Sequence, residues 1–229
     1  MEPALGIYAV CDGMGGHNHG ELAADLALRA MRHFLVTSLD CLDVTWPFGY
    51  EFAWSAQANR LCTGIRLANR EVWRKSQSAL EYAGMGTTVA AVLLHRNQAI
   101  LANVGDSRIY RLRDRQLQQL SVDDTIVGDL LSQGLIGAED VCSHPLRNVL
   151  LQAAGAQEQV MVHLREETCQ GGDILLLCSD GLYGVVPETT ILEALLSCAS
   201  VQECSEFLEG QVLQLGGPDN IAIVALKCF

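Results

Sequence analysis

The stretch Val10–Glu21, VCDGMGGHNHGE, decides how the rest of the chain is read. An apolar run from Gly6 to Cys11 stops at one carboxylate, Asp12. A glycine-rich turn follows, and an amphipathic helix begins at Glu21. A carboxylate at the end of a buried strand, beside backbone that glycine lets approach closely, is a common way to hold a hard cation. The arrangement recurs twice: ILLLCSDG ends a strand at Asp180, and GGPDNIAIVAL opens one at Asp219. Taken singly, a strand-end aspartate is an ordinary turn or cap residue. Three of them, each within two residues of a glycine, are the feature to explain.

Working outward from this stretch, Leu22, Leu26, Ala30 and Phe34 give the helix one wide apolar stripe. Residues 38–49 read as a loop. A second helix covers about 50–77, with Ala58, Leu61, Ile65, Ala68 and Val72 as its seam. GMGTT at 84–88 reads as a turn. TTVAAVLLH (87–95), AILANVG (99–105), DSRIYRLR (106–113) and QLQQLS then read as a four-strand antiparallel meander. Arg111, Arg113 and Arg115 recur at period two and predict a solvated strand face. Residues 122–145 hold short helices, interrupted twice by glycine, in a surface excursion. A strand near 160–165, a strong strand at 173–179, helices at about 188–198 and 201–215, and a last strand at 220–228 complete the chain. No repeat or linker divides it, so residues 1–229 read as a single α/β sandwich domain: two antiparallel β-sheets packed face to face, flanked by helices.

The 229 residues, 49% of them apolar, are enough for a sizeable core. Lys and Arg number 15 against 27 Asp and Glu, a net charge of −12. That balance disfavours nucleic acid as a partner, because phosphate backbones need basic surface. It suits a protein that gathers cations. No apolar run is long enough to span a membrane and no basic n-region opens the chain, so no membrane association is expected. Nine cysteines without a C-x-x-C pair read as reduced, buried thiols of a cytoplasmic protein rather than as a disulfide or zinc framework.

Two carboxylates about 4 Å apart repel by several kcal/mol at an effective dielectric near 20. Three converging on one point would be costly without cations or protons, and oxygen-only ligands favour Mg²⁺, Mn²⁺ or Ca²⁺ over zinc or copper. An aspartate bridging two ions about 3.5–4 Å apart would let them share a water, which becomes a nucleophile near neutral pH for in-line attack on a phosphate ester. A nucleotide-binding reading fails, because Asn18 stands where G-x-G-x-x-G needs its third glycine and no Gly-Lys-Ser/Thr occurs. No G-x-S-x-G elbow surrounds Ser179. His17 and His19 read either as ligands or proton donors, or as ordinary loop histidines. His33, His95, His144 and His163 show no partner in the sequence.

Six segments, VCDGMGGHNHGE, GMGTT, ANVGDSRIYRL, HPLRNVL, LLLCSDGLYGVV and GGPDNIAIV, stand in an order that resembles the metal-dependent protein phosphatases of type 2C, in their bacterial branch. The resemblance covers residues 6–228. It implies two antiparallel sheets face to face, flanked by helix pairs, with metals at one end. It implies that Asp12 bridges two Mn²⁺ or Mg²⁺ ions, that Gly13 gives its carbonyl oxygen as a ligand, and that Asp180 and Asp219 complete the shell of one ion. Asn220 would stand beside that site as support. Asp106, with Asp180, would hold a weaker third ion. No side chain is assigned as nucleophile, since the attacking group would be water. Residues 122–145 correspond to the flap, here with Asp123-Asp124 where relatives tend to have Asp-His, and Met14 stands where other members carry histidine.

The resemblance further implies phosphoserine/phosphothreonine protein substrates and a cognate serine/threonine kinase. One motif of the family, an Arg-x-x-Asn-(Glu/Asp) stretch that gives a phosphate-binding arginine and an acidic ligand of the second metal, does not precede Asp12. The expectation is therefore an N-terminally incomplete domain with a bare edge strand. The function expected first is a serine/threonine protein phosphatase. The alternative is a weakly active pseudophosphatase that serves as a regulatory binding module.

Overall fold

The computed structural model describes all residues except Gly16, Asp40, Leu42, Cys142 and Phe229, and all their side chains except those of His17 and Asn18. Strand β1 (Ile7–Val10) leads to Asp12, and a two-residue strand β2 (Gly13–Met14) follows. Helix α1 (His17–Leu39) starts at His17 rather than Glu21, because its first turn is polar and adds nothing to the apolar stripe. Helix α2 (Ala56–Ser76) starts at Ala56, not near 50. Ser55 caps it, its hydroxyl accepting from the Ala58 amide at 3.1 Å. The residues ahead are tied back by Asn59, which accepts from the Glu51 amide at 2.8 Å and donates to the Glu51 carbonyl at 2.9 Å. Side-chain bonds of this kind compete with helix backbone bonds. Strand β3 (Gly86–Thr87) pairs with β2, so GMGTT is part of a small ribbon rather than a plain turn.

Strands β4 (Val89–His95) and β5 (Gln98–Val104) form one hairpin, and β6 (Arg108–Arg113) and β7 (Gln116–Gln119) another. They are not a single meander. With β8 (His163–Thr168), β9 (Ile174–Cys178) and β10 (Ile223–Lys227) they form two four-stranded sheets, ordered β1-β4-β5-β8 and β10-β9-β6-β7, and the chain changes sheet at Gly105–Ser107. The central strands β4, β5 and β9 bury both faces. Ala90 and Val92 of β4 meet Ile109, Leu175 and Leu177 between the sheets. Val89, Ala91 and Leu93 meet Leu61, Ile65 and Met31 of the two helices. The second sheet turns Tyr110, Leu112 and Leu176 outward onto helices α5 (Asp180–Tyr183), α6 (Glu188–Ser197) and α7 (Val201–Gln214). The result is four layers, helix–sheet–sheet–helix.

Arg111 and Arg113 do not form the solvated face expected of them. They share the Ile109 side of β6 and reach the other sheet's margin. Arg111 pairs with Glu167 at 2.8 Å, and Arg113 with Asp173 at 2.6 Å. Arg115 lies outside the strand, in the β6–β7 turn with φ 62°. The excursion after β7 carries helices α3 (Ile126–Ser132) and α4 (Ala138–Val141). Gly128 lies inside α3 instead of interrupting it, and Gly134 (φ 67°) follows its C-terminal end. The excursion closes later than 145, where Ile126 donates to Val149 at 2.9 Å and Leu151 to Asp124 at 2.7 Å. Strand β8 begins at His163 rather than near 160. Among the described residues, no helix is long and apolar enough to cross a membrane.

Candidate metal centre

The sandwich brings four aspartates together where β1 ends, where the chain changes sheet, where β9 ends and where β10 begins. Asp12 is held by its backbone. Its amide donates to the Thr88 hydroxyl at 3.0 Å, and its carbonyl accepts from the Thr88 amide at 2.8 Å and the Thr87 hydroxyl at 2.9 Å. Thr88 in turn meets Ser107 at 2.6 Å, next to Asp106. GMGTT is thus the brace between the first and second aspartates. A Cβ on Gly13 would stand 1.9 Å from the Gly20 carbonyl oxygen, so glycine is required there to seat the turn on α1.

Asp180 opens α5 directly after β9. The Ser179 amide and hydroxyl are both bonded to Ala222, at 3.1 Å each. A Cβ on Gly181 would stand 2.1 Å from the Asn220 carbonyl oxygen. These contacts press the Asp219-Asn220 turn onto the end of β9 and bring Asp180 and Asp219 together. Asp219 and Asn220 are exposed, and the Asp219 carboxylate accepts from the Asn220 amide at 2.8 Å. Asp106 is 8% exposed, and its carbonyl accepts from the Tyr183 hydroxyl at 2.9 Å.

The Asp12 carboxyl lies against that of Asp180, with Asp219 and Asp106 close enough to act on it. Burial first, then Asp180, Asp219 and Asp106 in that order, push Asp12 up to about 7. Asp106 is pushed to about 6 by burial and then by Asp180 and Asp123. Asp180 is raised by burial and by Asp219. Among the described residues, no three carboxyls already stand as a ligand set about one point; Asp12 and Asp180 meet each other instead. Carboxyls crowded in this way raise one another's pKa. An all-oxygen donor set under this repulsion fits hard divalent cations.

The profile of the family described as Protein phosphatase 2C matches residues 2–212. The chain belongs to the protein phosphatase 2C family. It is 36% identical over 225 residues to a serine/threonine phosphatase, Stp, of Listeria monocytogenes, covering 96% of this chain and 84% of that protein. Among solved structures, the serine/threonine phosphatase PstP of Mycobacterium tuberculosis superposes with a TM-score of 0.81 at 36% identity, covering 96% of this chain and 86% of that one. A second structure, the PstP catalytic domain in complex with two manganese ions, superposes at 0.77 with 34% identity. The face-to-face antiparallel architecture expected from the resemblance is the architecture of this family.

The partners of three polar groups near the centre, Arg108, Asp124 and His163, are not visible in the sequence. Arg108 lies under Asp123, which accepts from it through both carboxylate oxygens (Nη2 to Oδ2 2.7 Å), and it stacks 3.7 Å from the centre of the Tyr183 ring. Asp124 is buried; it accepts from the Gly105 amide and from Gln152, each at 2.8 Å, and meets His163 at 2.6 Å. His163 therefore has a partner, which no local pattern could show across 39 residues. His19 packs edge-on to Tyr82, with ring centres 5.4 Å apart. The His17 side chain lies outside the described residues.

Proposed function

We propose that this chain hydrolyses phosphoserine and phosphothreonine on proteins. Asp12, Asp180, Asp219 and the Gly13 carbonyl would hold two Mn²⁺ or Mg²⁺ ions, Asp106 and Asp180 would hold a third, weaker one, and Asn220 would support the Asp219 turn. The observation that carries this reading is the meeting of Asp12 with Asp180 inside reach of Asp219 and Asp106, in a chain of this family. When bound, the ions supply a nucleophilic water and neutralise the phosphate charge. The chain's own part is positional. Thr87 and Thr88 fix the Asp12 backbone, the Gly181–Asn220 contact fixes the distance between Asp180 and Asp219, and Tyr183 fixes Asp106. Without cations this cluster repels a phosphate dianion, so productive binding depends on them. The retained carboxylates count against the pseudophosphatase alternative.

A cognate serine/threonine kinase would supply the phosphoprotein substrates, and the free state of the eight described cysteines fits a cytoplasmic location. Residues 122–151, whose Leu135 and Leu151 are exposed, form the flap over which substrates would be chosen. The test is Mn²⁺-dependent hydrolysis of p-nitrophenyl phosphate and of a phosphothreonine peptide, with Asp180→Asn as control. Turnover that needs the metal and falls at least a hundredfold in the variant is expected. No metal-dependent turnover, or full activity in the variant, would overturn the reading.

A further inference from the structure

A cleft of about 530 Å³ opens between the outer face of α2 and the segment that leads into β8. Phe48, Arg66, Arg70, Trp73, Arg74 and Glu158 line it, and none of the four site aspartates does. Its size is that of a small-ligand pocket. Its charge is opposite to that of the chain as a whole. Helix α2 carries Arg60, Arg66, Arg70, Arg74 and Lys75 against the single acid Glu71, a third of the 15 basic residues of a chain whose net charge is −12.

Arg66, Arg70 and Arg74 follow one another at four-residue steps, which stacks three guanidinium stems on one helix face. Like charges at this spacing destabilise a helix. Arg74 is partly answered by Glu71 at 3.3 Å. Among the described residues, neither Arg66 nor Arg70 has a carboxylate within ion-pair distance. The Arg70 Nε is buried and has no hydrogen-bond partner among the described residues, while its guanidinium lies 5.6 Å from the centre of the Phe48 ring. A buried donor without an acceptor is a costly thing to leave in place. The opposite wall is built, not draped. Asn69 of α2 donates to the carbonyls of Gln157 and Glu158, at 3.2 and 2.9 Å, and accepts from the Gly155 amide at 2.7 Å.

We propose that this cleft is a second phosphoryl-binding site, which takes a phosphate monoester with its organic group against Trp73 and Phe48. Arg66 and Arg70, which have no carboxylate within ion-pair distance among the described residues, supply the charge that faces a phosphate dianion, and Arg74 adds donors although Glu71 shares its charge. Arginine forks bind phosphate oxygens in pairs. Nucleic acid would need a longer basic track than three arginines. The phosphate can be carried by a second phosphorylated side chain of a protein or by a free phosphorylated small molecule. The first of these sources rests on the phosphatase reading; the cleft itself does not need hydrolysis.

The experiment is calorimetric titration of the chelator-treated chain, whose aspartate cluster then repels anions, at fixed ionic strength. The probes are a singly and a doubly phosphorylated threonine peptide, adenosine monophosphate and inorganic phosphate. Binding of at least one phosphate ester is expected. It should weaken tenfold or more in Arg66→Gln/Arg70→Gln, persist in Asp180→Asn, and weaken in Arg70→Lys, which keeps the charge and loses the fork. Melting curves report whether the double variant folds; if it does not, Arg70→Lys and the exposed-site change Arg74→Gln decide. Mn²⁺-dependent p-nitrophenyl phosphate turnover should stay within twofold in the arginine variants. Peptide binding without nucleotide binding names the protein source, and the reverse names the small molecule. No phosphate ester binding at millimolar concentration, binding indifferent to the arginine changes, or equal binding of an unphosphorylated acidic peptide would overturn the proposal. Cleft binding in a chain without turnover would sink only the phosphatase reading.

Discussion

Gly13→Ala tests whether backbone contact or metal access sets the residue at the head of the centre. The substitution keeps the carbonyl oxygen, so a requirement for that oxygen alone would tolerate it. Contact would not. The new Cβ would stand 1.9 Å from the Gly20 carbonyl oxygen and 2.2 Å from its carbon, and both belong to the backbone of α1. Real Cβ atoms do not come nearer than 3.0 Å, so the turn and the helix must part by more than 1 Å. The strain resembles overpacking of a closed core, about 1–3 kcal/mol. For a chain of this size that lowers the melting temperature by roughly 2–4 °C per kcal/mol. The larger effect falls on turnover. Asp12 is one residue away, and a misplacement of about 1 Å at a reacting centre costs on the order of a hundredfold. The assay is Mn²⁺-dependent p-nitrophenyl phosphate hydrolysis beside a melting curve. A hundredfold loss of turnover with a melting point lowered by only several degrees is expected. Near wild-type activity and melting would refute the contact argument and leave carbonyl access as the reason for glycine.

Three further outcomes follow from the structure. Asp12, raised to about 7 in the metal-free chain, stabilises the fold below its unfolded value near 4 and loses that contribution as pH rises through 7; the chelated protein should melt a few degrees higher at pH 5 than at pH 8, Mn²⁺ should stabilise it most at pH 8, and Asp12→Asn should flatten the difference. Asp173 is 3% exposed, and the Arg113 hydrogen bonds hold its carboxyl below the usual range; Asp173→Asn should cost about 2–3 kcal/mol at pH 7, and since a depressed pKa stabilises only above the unfolded value, that deficit in denaturant melts should shrink below about pH 4. A Cβ on Gly210, inside α7, meets nothing within 4 Å, so Gly210→Ala should raise stability by about 0.8–1 kcal/mol without changing turnover.

The sequence made the strands legible but not their partners. DSRIYRLR reads correctly as extended from its period-two alternation and AILANVG from its continuous apolar run, yet neither pattern shows the change of sheet at Gly105–Ser107. Pairing within each hairpin is identical whether the next hairpin joins the same sheet or faces it. Arg111 and Arg113 misled for a related reason: alternation normally marks a solvated face, but here Glu167 and Asp173, distant in the chain, answer the charges. The candidate aspartates could be picked out because each stands at the end or the approach of a strand, within two residues of a glycine. What glycine does there was not legible. Gly13 and Gly181 are read from the backbone they touch, Gly20 and Asn220, and those contacts exist only once the sheets are stacked.

The adjacent acids Asp123 and Asp124 link the aspartate cluster to the excursion over residues 122–151. Neighbouring residues of an extended segment point to opposite sides, and these two take separate partners. Asp123 accepts from Arg108, which stacks on Tyr183, whose hydroxyl holds the Asp106 carbonyl. Asp124 accepts from the Gly105 amide and from Gln152, just past the end of the excursion. Both routes end on the residues that flank or include Asp106. The root of the excursion and the sheet-changing corner are therefore one polar assembly, buried enough that a displacement of either limb leaves a charged group without its partner. A displacement of residues 122–151 would act against that assembly, and of the four aspartates Asp106 is the one it holds through Tyr183.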